Sequence, residues 1–320
     1  MGTAAMSALR IIPDNAQHQG ARDEQQDAYA CFDPAAENVP HAGFLSVVAD
    51  GMGGMRLGKE ASEAAIRAFL DAYAEKTEDE TIPDALRRSA FEANASVLKL
   101  ADEHGIRGET GTTLIATVIR EDELYWISVG DSRIYRLDGQ SITQLNAEHN
   151  LKSKLERLAA RGLVDKEEAN THPQRDALLS YIGIEELTEI DMPQTPMNLP
   201  HDCCILLCSD GLYRTLSDNE ILSAAWSAQP KVMARNLVKT AMDKGKRHQD
   251  NVTAITLTLY DGDLQTTEDE SAAKCQGYQG VTLQIGEKVQ KKSFLDRLPK
   301  LWLAAAALPI LGVAAFVTLQ

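Results

Sequence analysis

Three apolar runs of this chain place an aspartate where the run ends or begins. Residues 44–49 lead into Asp50-Gly51, residues 203–209 lead into Asp210-Gly211, and Asp250-Asn251 opens the run 252–259. One such pair is ordinary turn chemistry. Three of them ask for a common reason, and strand ends supply one, because a rigid end can aim a carboxylate at a fixed point. Hard cations such as Mg²⁺ and Mn²⁺ take oxygen ligands in near-octahedral array and need neither His nor Cys. Two of them close together share a water, lower its pKa toward neutrality and clamp a phosphoryl group for in-line attack. The products of such a reaction are free phosphate and an alcohol.

A phosphate entering a field of carboxylates needs a cation, and arginine grips it bidentately where lysine offers a point charge. Arg22, close to Asp27 in a loop-like segment, is the candidate. The seven histidines (18, 41, 104, 149, 172, 201 and 248) are scattered and show no zinc-type pairing. Of the five cysteines, only Cys203, Cys204 and Cys208 cluster, inside an apolar run without metal spacing, so they read as buried thiols in a reducing compartment. A formal charge of −15 over 320 residues repels polyanions and argues against nucleic acid as a partner.

The elements that would position these groups follow from periodicity. Short apolar runs predict strands at 8–12, 28–32, 44–49, 113–119, 124–129, 134–137, 203–208 and 252–259. Glu121-Asp122, Gly130-Asp131 and Asp138-Gly139 fall between or beside them and suggest tight turns joining consecutive antiparallel strands. Apolar stripes of 3.6-residue period predict helices at about 58–76 and 83–103, with others near 150–161, 217–227 and 230–243. The sum is a mixed α+β layered arrangement.

Six stretches, in order, resemble the type 2C metal-dependent serine/threonine protein phosphatases. They are Gly20-Ala21-Arg22-Asp23-Glu24-Gln25-Gln26-Asp27, Asp50-Gly51-Met52-Gly53-Gly54, Gly111-Thr112-Thr113, Val129-Gly130-Asp131-Ser132-Arg133, Ser209-Asp210-Gly211-Leu212 and Asp250-Asn251-Val252-Thr253. The resemblance implies a four-layer α-β-β-α sandwich, two antiparallel sheets flanked by helices, with a dinuclear Mn²⁺ or Mg²⁺ centre at one edge. It implies phosphoserine and phosphothreonine on proteins as substrates. Carried over by residue, Asp50 bridges both ions, the Gly51 carbonyl serves one, Asp210 and Asp250 hold the other, and Asp131 supports a third, weaker ion. Arg22 grips the substrate phosphate, Asp27, Gln26 and Asn251 stand behind these groups, and residues 147–186 form a flap beside the site. Two departures stand out. Many relatives have Asn-Glu-Asp where this chain has Gln25-Gln26-Asp27, which removes one negative charge near a metal. Met52 stands where many eukaryotic relatives carry a histidine proposed to protonate the leaving alcohol, so no general acid is assigned.

Two rival readings have specific motivations. Residues 53–59 fit the G-x-x-x-x-G-K phosphate loop, but Glu60 replaces the hydroxyl that should meet Mg²⁺, and the turn pattern disfavours a parallel sheet. The Gln26 departure motivates the second rival, a catalytically impaired module that binds phosphoproteins.

The expected organisation is a catalytic domain over 1–260, a polar linker over 261–300 and a transmembrane helix over 301–319. The last is an uncharged apolar run preceded by Lys288, Lys291, Lys292, Arg297 and Lys300. The N-terminal stretch lacks the pattern of a secretion signal. The expectation is a single-pass C-terminal anchor with the catalytic domain in the cytoplasm, acting on phosphorylated proteins there and opposed by a cognate Ser/Thr kinase.

Overall fold

The structure is a computed structural model that describes residues 10–32, 40–52 and 55–260. The chain divides into two units, Met1–Gly280 and Val281–Gln320, and every described residue falls in the first. The expected linker at 261–300 and apolar span at 301–319 lie outside the described residues. Among the described residues, no helix is long and apolar enough to cross a membrane.

The chain opens with strands β1 (Arg10–His18), β2 (Asp27–Phe32) and β3 (Phe44–Asp50), then helices α1 (Gly58–Ala74) and α2 (Ile82–His104). Strands β4 (Leu114–Arg120), β5 (Glu123–Val129), β6 (Arg133–Leu137) and β7 (Ile142–Gln144) follow. Helices α3 (Leu151–Ala160) and α4 (Lys166–Thr171) precede β8 (Met197–Asn198) and β9 (Cys204–Cys208). The described part ends with α5 (Asp210–Tyr213), α6 (Asp218–Trp226), α7 (Met233–Asp243) and β10 (Val252–Tyr260). The strands form two five-stranded antiparallel sheets, ordered β1-β10-β9-β6-β7 and β2-β3-β4-β5-β8.

Three apolar clusters make this a four-layer α-β-β-α sandwich. Val48, Ile115 and Ile127's neighbour Trp126 meet Ile205, Leu207, Ile255 and Leu257 between the sheets. Val47, Ala49 and Ala116 turn the other way, onto Ala65, Phe69 and Leu86 of α1 and α2. Cys204, Leu206 and Cys208 likewise turn onto Ile221, Leu237 and Val238 of α6 and α7. Strands buried on both faces have no solvent side to alternate toward, so their sequences are continuous apolar runs, and that is why they were legible. Burial also pushes the Cys203 thiol up to about 11 and the Cys204 and Cys208 thiols up to about 12, which leaves them protonated and inert.

Two local expectations need correction. The first strand, expected at 8–12, runs from Arg10 on to His18, through Pro13 and a polar stretch, while residues 8–9 lie outside the described residues. As an edge strand pairing on one side with β10, it tolerates a proline. Its buried Asp14 accepts from the backbone N–H groups of Ala234 (2.9 Å) and Arg235 (3.3 Å) and pairs with the Arg235 guanidinium at 3.1 Å, which caps α7. Second, Glu121-Asp122 does close a hairpin, with Arg120 opposite Glu123, but Gly130-Asp131 does not. It carries the chain from β5 in one sheet to β6 in the other. Gly130 sits at φ 104°, where a Cβ would come within 2.7 Å of the Thr113 side chain, so the crossing needs glycine.

Candidate metal centre

One edge of the sandwich collects strand ends from both sheets. Asp27 begins β2 directly opposite Asp50, which ends β3. Asp131 lies in the crossing after β5, Asp210 follows β9, and Asp250 precedes β10. Both sheets therefore aim carboxylates at the same edge, although the five residues span more than 220 positions of chain.

Hydrogen bonds fix the surrounding backbone. Asp27 Oδ2 accepts from Ser209 Oγ (2.8 Å) and Thr253 Oγ1 (2.7 Å), which ties β2 in one sheet to β9 and β10 in the other. Thr113 accepts from the Asp50 N–H at 3.0 Å, and its own N–H donates to the Asp50 carbonyl at 2.9 Å. The Asn251 side chain clamps the loop that carries Arg22: Nδ2 donates to the Gln19 and Glu24 carbonyls (2.7 and 3.0 Å), and Oδ1 accepts from the Gln26 N–H at 2.8 Å. Gly211 packs so tightly that a Cβ would stand 1.9 Å from the Asn251 carbonyl oxygen. The motif glycines thus serve close approach of backbone to backbone. Replacing Asn251 by alanine takes the side-chain partner from three part-buried backbone groups. The expected result is a loss of about 1–3 kcal/mol in stability and a KM raised more than kcat is lowered, read by thermal melting and steady-state kinetics.

The electrostatics demand cations. Burial comes first in raising the Asp50 carboxyl well above its usual range, and repulsion from Asp27, Asp210, Asp131 and Asp250 adds to it. Burial likewise lifts Asp210 to about 7, against the pull of Arg214 and with repulsion from Asp131 and Asp250. Asp27 rises to about 6, chiefly by burial, although the Thr253 and Ser209 hydroxyls stabilise its charge. Burial also raises Asp131, with Arg214 opposing. Two arginines partly answer this field. Arg22 Nη2 donates to Asp250 Oδ2 at 2.7 Å, and Arg214 reaches Asp210 at 3.0 Å and Asp131 at 3.2 Å.

The donor set suits a hard divalent ion: all oxygen, crowded, with the buried Asp27 Oδ1 lacking any hydrogen-bond partner. As they stand, no three His, Cys, Asp or Glu among the described residues already frame one ion position, and Asp131, Asp210 and Asp250 are engaged with the two arginines. The remaining expected residues sit close by. The Gly51 N–H donates to the Gln26 carbonyl at 3.1 Å, and a Cβ on Gly51 would come 2.2 Å from the Gly58 carbonyl oxygen. The Gln26 side chain lies against Gly58 at the start of α1. His149 is buried with its imidazole held neutral by burial, and its Nδ1 accepts from the Gly130 N–H at 3.2 Å, a structural role. Residues 147–186 leave beside Gly130 and return on themselves, with Leu179 N–H donating to the His149 carbonyl (2.8 Å) and Ile182 bridging to Thr112.

The antiparallel sheets remove the nucleotide-loop reading, since β3 and α1 belong to no parallel βαβ unit. The protein phosphatase 2C family profile matches residues 15–245, a stretch that holds Arg22 and four of the five aspartates. The chain belongs to the protein phosphatase 2C family. This phosphatase is 36% identical over 180 residues to the serine/threonine phosphatase Stp of Listeria welshimeri, which covers 55% of this chain and 69% of that one. It shares 26% identity and a TM-score of 0.64 with the crystal structure of the Mycobacterium tuberculosis serine/threonine phosphatase PstP/Ppp, over 79% of this chain and 99% of that one. A PstP catalytic domain in complex with two manganese ions shares the fold at 24% identity and a TM-score of 0.62, over 79% of this chain and all of that one. This enzyme is a protein serine/threonine phosphatase of the kind found in bacteria, built as two antiparallel sheets flanked by helices.

Sequence reasoning missed several of its site residues. Ser209, Thr113 and Thr253 lie inside the recognised stretches, but their hydroxyls look like ordinary strand residues until the two sheets meet. Arg214 carried a readable signal, because four residues after Asp210 is one helical turn, the spacing at which opposite charges pair.

Proposed function

We propose that this phosphatase hydrolyses phosphoserine and phosphothreonine on proteins at a centre of two Mn²⁺ or Mg²⁺ ions held by Asp50, Asp210, Asp250 and the Gly51 carbonyl. The observation that carries this reading is the convergence of mutually repelling, partly buried carboxylates from both sheets beside a half-exposed arginine. When bound, such an ion pair supplies the acidity that readies a water for in-line attack on phosphorus. The protein's own groups do the rest. Asp50 is crowded by Asp27, Asp210, Asp131 and Asp250, so its charged form would gain from cations held beside it. Arg22 spends one N–H on Asp250, and its half-exposed guanidinium keeps further donors with which to take a phosphate. Asp27, tied to Ser209 and Thr253, holds the two sheets in register beneath the ligands. Asn251 and the Gln26 backbone keep the Arg22 loop in place.

The apolar run at 301–319 and the lysines and arginines before it support a membrane tether with the catalytic domain on the cytoplasmic side. Substrates are then membrane-associated phosphoproteins, with a cognate Ser/Thr kinase among them. Removing residues 301–320 is expected to release active, soluble enzyme; a truncated protein still in the membrane fraction contradicts the tether.

The direct test is Mn²⁺-dependent release of phosphate from a phosphothreonine peptide, with Asp210→Asn as control. Wild type is expected to turn over and the variant to lose activity. A wild type that binds the peptide but never hydrolyses it supports instead the impaired phosphoprotein-binding module suggested by Gln26.

A further inference from the structure

Arg214 lies between two carboxylates far apart in sequence, Asp131 in the crossing from β5 to β6 and Asp210 directly after β9. Its Nε is 3.0 Å from Asp210 Oδ2, and its Nη2 is 3.2 Å from Asp131 Oδ2. The placement is built rather than incidental. Arg214 follows directly on α5, where its carbonyl accepts from Lys246 Nζ at 2.6 Å. Its neighbour Tyr213 donates from the hydroxyl to the Asp131 carbonyl at 3.0 Å, and the Arg133 guanidinium covers the Tyr213 ring at 3.6 Å. Arg133 is itself fixed by Glu148 at 2.6 Å. Asp131 is thus held on its backbone and its side chain by the same two consecutive residues.

We infer that Arg214 is the resident cation of the Asp131–Asp210 edge, so that the centre takes up two divalent ions and no third, and Asp131 positions this arginine instead of ligating a metal. The inference rests on the dinuclear reading above. Two dications, Arg22 and Arg214 already outweigh the five carboxylates Asp27, Asp50, Asp131, Asp210 and Asp250. A third dication at Asp131 would have to displace a guanidinium that both carboxylates already share, or stand beside it against like-charge repulsion. A fixed monovalent cation also offers a delocalised donor face at the rim, since the Arg214 side chain remains 43% exposed.

The test counts bound Mn²⁺ on the full chain by native mass spectrometry and equilibrium dialysis as free Mn²⁺ is raised to about 100 times the dissociation constant of the tighter sites. Wild type is expected to saturate at two ions. Arg214→Ala is expected to gain a third, and adding Asp131→Asn to it to return the count to two. Arg214→Lys, which keeps the charge, is expected to stay at two. Three ions on the wild type, falling to two in Asp131→Asn alone, overturn this inference while leaving the dinuclear reading intact. Arg214→Ala that folds, as judged by its melting curve, yet binds two also overturns it. Fewer than two ions on the wild type sink the dinuclear reading, and this inference with it. The wild-type count decides the matter even where Arg214→Ala does not fold.

Discussion

Asp50→Asn is expected to lower kcat/KM on a phosphothreonine peptide about a thousandfold or more, the scale of losing a preorganised charged group at a reaction centre, and to make the metal-free protein more stable. Both effects come from one fact. Asp50 is partly buried and faces Asp27 across the ladder, with Asp210, Asp131 and Asp250 adding their repulsion. An amide of the same shape removes the charge that the fold resists and keeps the packing. It also takes away a carboxylate that the proposed ion pair would use as a ligand. A gain of about 1–2 kcal/mol corresponds to roughly 2–8 °C in melting midpoint for a domain of this size. Function and stability pull in opposite directions here, as expected where a site is strained for its chemistry. The measurement is a pair of melts in chelator alongside steady-state kinetics in Mn²⁺. A variant within tenfold of wild-type activity refutes the role given to Asp50.

Removing metal is expected to make stability depend on pH with an unusual sign. In the unfolded chain these carboxyls release their protons near the ordinary value of 3.8, whereas in the fold Asp27 holds its proton to about 6 and Asp210 to about 7, with Asp50 also raised. Between those limits the folded state binds more protons than the unfolded state. The contribution is therefore fully present below about pH 4 and is lost as pH rises through about 6 to 7. In chelator, the midpoint attributable to these groups should fall from about pH 5 to about pH 8. Divalent ions compete with the same protons, so Mn²⁺ affinity should weaken as pH drops through that window. Each site filled to 100 times its dissociation constant adds about 2.7 kcal/mol, so Mn²⁺ should raise the midpoint far more near pH 8 than near pH 5. Melts at both pH values, with chelator and with Mn²⁺, give the answer. A metal-induced shift that is equal at the two pH values, or absent, contradicts the assignment of these aspartates to the ions.

The primary sequence determined a good deal of this. Strands such as β3, β4, β9 and β10 are covered on both faces, which forces continuous apolar runs, and the long helices α1 and α2 carry a stripe that local periodicity reveals. The short Asp-containing stretches at their ends were readable for the same reason, and the order of those stretches pointed to the family. Other features depend on partners far along the chain. The polar strand β1 is legible only once β10 pairs with it and α7 takes its Asp14 as a cap. Gly130-Asp131 looks like a hairpin turn, and only the assembled sandwich shows that it crosses between sheets. The hydroxyls of Ser209 and Thr253 acquire a purpose when β2 delivers Asp27 to them from more than 180 residues away. Residue types and local spacing name the groups able to do chemistry, whereas electrostatic crowding is a property of distances. The tertiary structure alone decided that four other aspartates crowd Asp50 and that Arg214 sits between Asp131 and Asp210.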